Sequence, residues 1–212
     1  MQIILTALDR ELIEAWRKFC GDLEQVNTYQ GSILEVECDA VVSPANSFGF
    51  MNGGIDMIYS RYFGWDVQKN LQTIIKQHHH GELVVGTAEI VSTGNSEIPY
   101  LIAAPTMRVP MILKDTVNPY LATRAALLLV KYGVFLDGPY QGQSIAEHVK
   151  RLAFPGLGTG VGQVGPNTCA RQVRQAIEEV LLDNYTFPRT WSDAQTRHQK
   201  LYINQVRDLQ RE

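Results

Sequence analysis

Five of the twelve residues at positions 154–165, FPGLGTGVGQVG, are glycine: Gly156, Gly158, Gly160, Gly162 and Gly165. Such a run can be neither a helix interior nor a good strand interior. The apolar stretch 148–154 before it has the character of a strand. Residues 166–182 after it carry Cys169, Val173, Ala176, Ile177 and Val180 at three- and four-residue spacing, which predicts a helix. A strand, a glycine-rich loop and a helix place backbone N–H groups around an anion near a helix N-terminus. The same run also serves as a plain glycine-rich connection. No Gly-Lys-Ser/Thr follows, so it is not the lysine-bearing phosphate loop. No acidic residue stands where a dinucleotide-binding turn would carry one.

The rest of the chain alternates in the same way. Residues 2–8 are apolar and β-prone. Asp9 is placed to cap a helix striped by Leu12, Ile13, Trp16 and Phe19, which Gly21 stops. Residues 26–30 predict a short strand, and Ala40-Val41-Val42 a buried one. A second unusual loop at 44–54 then leads into a helix at 55–62. Another helix is expected at 66–77, and strands at 88–91 and 100–104. Residues 110–117 have no period and suggest a loop or lid. Asn118 and Pro119 suggest the cap and first position of a helix reaching Tyr132. The tail 191–212 has a weak helical stripe. This order predicts one α/β domain over residues 1–212, three layers α/β/α around a mixed, mostly parallel sheet. In such folds ligands bind beyond the carboxyl ends of strands. Both special loops are expected there, where together they would grip a diphosphate.

A net charge of −3 over 212 residues argues against bulk nucleic-acid binding, so local amides must attract any anion. Three cysteines, Cys20, Cys38 and Cys169, without metal-ligand spacing suggest reduced thiols and a cytoplasmic location. No uninterrupted apolar run has membrane-spanning length. His78, His79 and His80 diverge in direction, so an exposed loop is expected rather than a metal site. We expect no resident metal or cofactor.

These motifs, in order, are Gly31-Ser32-Ile33, then Cys38-Asp39-Ala40-Val41-Val42-Ser43-Pro44-Ala45-Asn46, then Asn52-Gly53-Gly54-Ile55-Asp56, and then the run from Phe154 to Gly162. Over about residues 26–182 the chain resembles the macro domain, an ADP-ribose-binding family. Its members read Gly-Asp-Ile, Val-Asp-Ala-Ile-Val-Asn-Ala-Ala-Asn, a Gly-Gly-Val-Asp element and a late Phe-Pro with a glycine-rich run.

The resemblance implies binding of ADP-ribose or an ADP-ribosylated macromolecule. Carried over by motif, the ligand-binding positions are Ser32, Ile33, Ala45, Gly53, Gly54, Ile55, Gly156, Gly158, Thr159, Gly160, Val161 and Gly162. Asn46 would hold the distal ribose and Asp56 would orient or activate water. Asn46 also suits a loop asparagine turning its own backbone, and Asp56 a helix-start acid. The implied reaction is de-ADP-ribosylation or deacetylation of O-acetyl-ADP-ribose. Alternatives are a non-catalytic ADP-ribose reader and an ADP-ribose 1″-phosphatase.

The chain departs from the pattern in four places. Ser32 replaces the family's aspartate, which accepts from the adenine amino group, so base recognition is expected to be relaxed or displaced. Ser43-Pro44 replaces the first Asn-Ala. Gly162 or Gln163 stands where many members have an aromatic. The connection between Met107 and Asn118 is longer than usual.

Overall fold

The apolar strands assemble into a sheet buried on both faces. The structure is a computed structural model, and it describes residues 1–44 and 46–208. In chain order the elements are β1 (Gln2–Ala7), α1 (Arg10–Cys20), β2 (Val26–Gln30), β3 (Ala40–Ser43), α2 (Gly54–Phe63), α3 (Asp66–His78), β4 (Glu89–Ser92) and β5 (Tyr100–Ala103). Then follow α4 (Asn118–Tyr132), the single turn α5 (Ile145–His148), β6 (Arg151–Phe154), α6 (Pro166–Val180) and α7 (Trp191–Lys200). The six strands among the described residues run β2-β1-β6-β3-β5-β4. Every pairing is parallel except that of β4 with β5.

Period-two alternation divides the core. Ile3, Leu5, Ala40, Val42, Leu152 and Phe154 face the side packed by α1, α4 and α6, with Trp16, Ala126, Val173 and Ile177. Val41, Leu101 and Ala153 face the other side, with Tyr59, Val67, Leu71 and Ile75 of α2 and α3. Successive strand residues point to opposite faces, so a short all-apolar strand fills two cores at once. Burying each such aliphatic side chain contributes about 1.5–3 kcal/mol before chain entropy is subtracted. This is the three-layer α/β/α arrangement expected from the sequence.

Local details differ from expectation in three places. Of the stretch 148–154 expected as strand, Arg151–Phe154 is strand, while His148 closes the helical turn α5. Val117, not Asn118, is the boundary residue of α4. The Asn118 side chain instead donates through Nδ2 to the Thr106 carbonyl at 2.7 Å, tying α4 to the loop after β5. His78 and His79 are not simply an exposed loop. His79 is half-buried with Nε2 3.0 Å from Glu89 Oε2, and His78 Nδ1 is 3.7 Å from the same oxygen. The end of α3 lies over β4, whose first residue is the buried Glu89. The expected cap of α1 is present, with Asp9 Oδ2 accepting from the Leu12 amide at 3.0 Å. All three cysteines are buried, and burial pushes each thiol up to about 12. Among the described residues no helix is long and apolar enough to cross a membrane.

Candidate functional site

β1, β2, β3 and β6 run in one direction, so their carboxyl ends share an edge of the sheet. A cavity of about 520 Å³ opens there. It is lined by Ser32 and Ile33 after β2, by Asn46, Gly53, Gly54, Ile55 and Asp56 after β3, and by Gly156, Gly158, Thr159, Gly160, Val161 and Gly162 after β6. The structure thus brings together every site residue expected from the sequence except Ala45, which lies outside the described residues.

The loop after β6 presents donors. The amides of Gly158, Thr159, Gly160, Val161 and Gly162 donate to no acceptor among the described residues. Gly158 and Gly162 are nevertheless buried. Buried backbone donors are almost always paired, so unpaired ones at a cavity wall mark a place for an acceptor. Gly158 needs its glycine for the fold, with φ at +67° and Leu113 and Val164 packed close by. Gly160 does not: its φ is unexceptional and a Cβ would meet nothing within 4 Å. A side chain there would project into open space, so only the cavity argues for glycine.

The connection after β5 supports this loop rather than hanging free. The Leu113 amide donates to the Gly162 carbonyl at 2.7 Å, and the Leu113 side chain is fully buried against the glycine run. Gln172 of α6 donates to Thr116 O at 2.8 Å and accepts from the Tyr120 amide at 3.1 Å. Arg108 pairs with Glu82 through two hydrogen bonds of 2.7 and 3.1 Å. The segment expected as a loop or lid is a docked loop.

On the β3 side, α2 starts at the cavity with no side-chain cap at Gly53. Its first-turn amides and helix dipole favour negative charge there. Asp56 lies in that first turn and is only 3% exposed. Ser43 Oγ donates to Asp56 Oδ1 at 2.5 Å. Burial pushes the carboxyl up to about 7, and the Ser43 hydrogen bond pulls it back in part. Tyr59 is buried alongside and donates to the Val42 carbonyl at 3.1 Å. An acid near neutrality at a cavity wall can accept a proton from water at ordinary pH.

Asn46 lines the cavity, but its side chain organises its own loop. Oδ1 accepts from the Phe48 amide at 3.1 Å and the Phe50 amide at 3.2 Å, while Nδ2 donates to Phe50 O at 2.8 Å. Both acceptor sites of the amide oxygen are engaged, leaving one N–H to offer. Ser32 also turns inward to the backbone. Its Oγ accepts from the Leu34 amide at 3.3 Å, and Glu35 accepts from the Ser32 amide at 3.1 Å, a capping box for the 3₁₀ turn Ile33–Glu35.

Phe48 is covered by the Arg108 guanidinium, 5.1 Å from its ring centre, and Phe50 lines the cavity. Arg171 and Arg174 of α6 hold other parts of the chain. Arg171 donates to the Lys200 and Ile203 carbonyls, and Arg174 pairs with Asp22 and Glu178. Thr6, Leu8, Asp9, Leu12 and Thr106 line the cavity unforeseen. Asp9 announced itself only as a helix cap and Leu12 only as part of a helical stripe, and nothing local marked any of the five as cavity lining.

A family model described as Macro domain matches residues 42–173. The chain belongs to the macro domain family. An uncharacterised protein of Aquifex aeolicus is 32% identical over 154 residues, covering 73% of this chain and 81% of that one. A macro domain-containing protein of Listeria monocytogenes is 30% identical over 137 residues, covering 65% and 69%. Among solved structures, the macrodomain of Mycobacterium tuberculosis DarG superposes with a TM-score of 0.55 at 18% identity, covering 70% of this chain and 87% of that one. The Oceanobacillus iheyensis macrodomain with ADP superposes with a TM-score of 0.57 at 22% identity, covering 73% and 75%. At these identities the superpositions establish the shared fold.

Proposed function

We propose that this macro domain binds ADP-ribose or an ADP-ribosyl group and hydrolyses the bond at its distal end. The observation that carries the reading is the row of unpaired amides at 158–162 beside a buried acid, Asp56, on one cavity. In a chain of net charge −3 those amides are the natural partner for a diphosphate. An Oceanobacillus iheyensis macrodomain variant solved with ADP-ribose supports the choice of ligand.

In this reading Asp56, steadied by Ser43, takes a proton from a water. That water attacks the anomeric carbon of the distal ribose, or an acyl carbon attached to it. The bond from that carbon to the leaving group breaks, and the leaving group takes up a proton. A positioned general base of this kind contributes roughly 10²–10⁴-fold. The same chemistry accommodates de-ADP-ribosylation of a macromolecule and deacetylation of O-acetyl-ADP-ribose.

The test is single-turnover hydrolysis over a panel of ADP-ribosylated substrates and O-acetyl-ADP-ribose, read as release of ADP-ribose. Asp56→Ala should lower the rate by at least roughly tenfold while product affinity changes little. Parental turnover in that variant refutes the role of the acid. A second reading, binding without turnover, is favoured by the engagement of the Asn46 amide within its own loop. It prevails if the parent binds ADP-ribose and cleaves nothing in the panel.

A further inference from the structure

The reacting end of the cavity has a wall of its own. β5 runs parallel to β3, so the loop after it joins the same edge of the sheet, across β3 from the glycine run that follows β6. Met107 and Pro110 of that loop line the cavity. So do Phe50 from the loop after β3, and Ile58, two residues past Asp56 on α2. A ligand whose diphosphate rests on the amides at 158–162, and whose distal end reaches Asp56, presents its departing group to this wall.

Asn46 holds the wall in place. It forms a parallel β-bridge with Met107. Its side chain makes three hydrogen bonds to the backbone of Phe48 and Phe50. The next residue, Ser47, donates its amide to Arg108 O at 3.2 Å. One residue thus ties the Phe50 loop to the Met107 loop. The Phe50 side chain is nevertheless 54% exposed, and Ile58 is 46% exposed. A half-exposed aromatic on a braced backbone at a cavity mouth is apolar surface that the core leaves uncovered.

The polar groups at this end have little left to offer an occupant. Thr106 Oγ1 donates to Pro44 O at 2.7 Å, and Thr106 O accepts from Asn118 at 2.7 Å. Asn46 keeps one free N–H, and Asn52 is exposed at the rim. Among the described residues no Lys, Arg or His lines the cavity. The phosphates of a nucleic acid find no cation here, and the amides of a peptide find few partners. A hydrocarbon chain needs neither and gains by leaving water.

We propose that the departing group is an aliphatic acyl chain longer than acetyl, that the protein is a deacylase of O-acyl-ADP-ribose, and that Phe50 sets its preference for chain length. The proposal rests on the ADP-ribose hydrolase reading above. Asp56 takes a proton from a water whose oxygen bonds to the acyl carbon. The bond from that carbon to the ribose oxygen breaks, the ribose oxygen takes the proton from Asp56, and the fatty acid leaves, releasing its own proton to solvent.

The experiment compares kcat/KM for O-acetyl- and O-butyryl-ADP-ribose, each normalised to its uncatalysed hydrolysis. The butyryl ester carries two more methylenes, so the parent should favour it by roughly tenfold. Phe50→Ala keeps the backbone hydrogen bonds to Asn46, so the melting temperature should hold while the preference shrinks to within roughly threefold. Phe50→Leu, which keeps an apolar side chain, should retain most of it. Equal parental kcat/KM for the two esters, or an undiminished preference in Phe50→Ala, overturns the proposal while sparing the hydrolase reading. So does cleavage of an ADP-ribosylated protein or nucleic acid with neither ester touched. Failure to bind ADP-ribose at all overturns both.

Discussion

Ser43 Oγ donates a 2.5 Å hydrogen bond to Asp56 Oδ1, and both side chains are almost wholly buried. The last residue of one central strand thereby fixes an acid in the first turn of the following helix. Tyr59 is a titratable group packed beside this acid, and among the described residues no cation faces it to favour the charged form. The Ser43 hydroxyl is the contact that does so.

Replacing Ser43 tests this directly. Without its hydrogen bond, the Asp56 carboxyl should rise further above the ordinary carboxylate range. In Ser43→Ala the acid limb of the pH–rate profile should therefore move to higher pH, with the largest rate loss near pH 6. Ser43→Thr should restore the parental limb. An unmoved limb in Ser43→Ala would show that the hydroxyl has no hold on the acid during turnover.

Stability should follow the same carboxyl. Its folded value, about 7, lies above its unfolded value near 3.8. The folded state binds the proton more tightly, so this group's favourable contribution is complete below about pH 4. It is lost as pH rises through about 7. Asp56→Asn removes the titration, so it should gain stability relative to the parent at pH 8 and little at pH 4. Denaturant unfolding of both proteins at the two pH values checks the sign, and a parent relatively more stable at pH 8 contradicts it.

Asn46→Ala removes three hydrogen bonds within the loop after β3 and leaves the Phe48 and Phe50 amides without that acceptor. A loss of about 1–3 kcal/mol in folding stability is expected, with weaker ADP-ribose binding. Asn46→Asp keeps both acceptor roles and should lose less. Chemical denaturation alongside titration separates the two effects. A stable Asn46→Ala protein would mean that the loop does not depend on this side chain.

Gly160→Glu should spare the fold, because a Cβ there meets nothing within 4 Å and the backbone is unexceptional. Its carboxylate would enter the region facing the unpaired amides. ADP-ribose affinity should fall more than roughly tenfold, or about 1.4 kcal/mol, with an unchanged melting temperature. Parental affinity in this variant would place the diphosphate elsewhere.

The elements of the sheet were legible because apolar periodicity and glycine punctuation are local signals. The strands at 40–43 and 100–103 and the helices at 66–78 and 166–180 emerged close to their expected bounds. The loops flanking the cavity were legible as well, since clustered glycines have few structural uses. The hydrogen-bonding state of each side chain was not. Asn46, Ser32 and Asn118 each have backbone partners whose positions depend on how the loops close. Asp9 was visible only as a cap, because its nearness to Ser32 depends on the β1–β2 register. The contact of His79 with Glu89 likewise depends on where α3 ends over β4.

The strand order also sets a length. From β2 to β3 there are three inter-strand steps, or about 14 Å at the usual strand spacing. A ligand that touches both the turn after β2 and Asp56 must span this edge, as two sugar-bearing halves joined through a diphosphate do. Each half alone engages only its own end, and the joining group raises the effective concentration of one half once the other is seated. The sheet edge therefore acts as a ruler, favouring a ligand for its span as well as for the groups it carries.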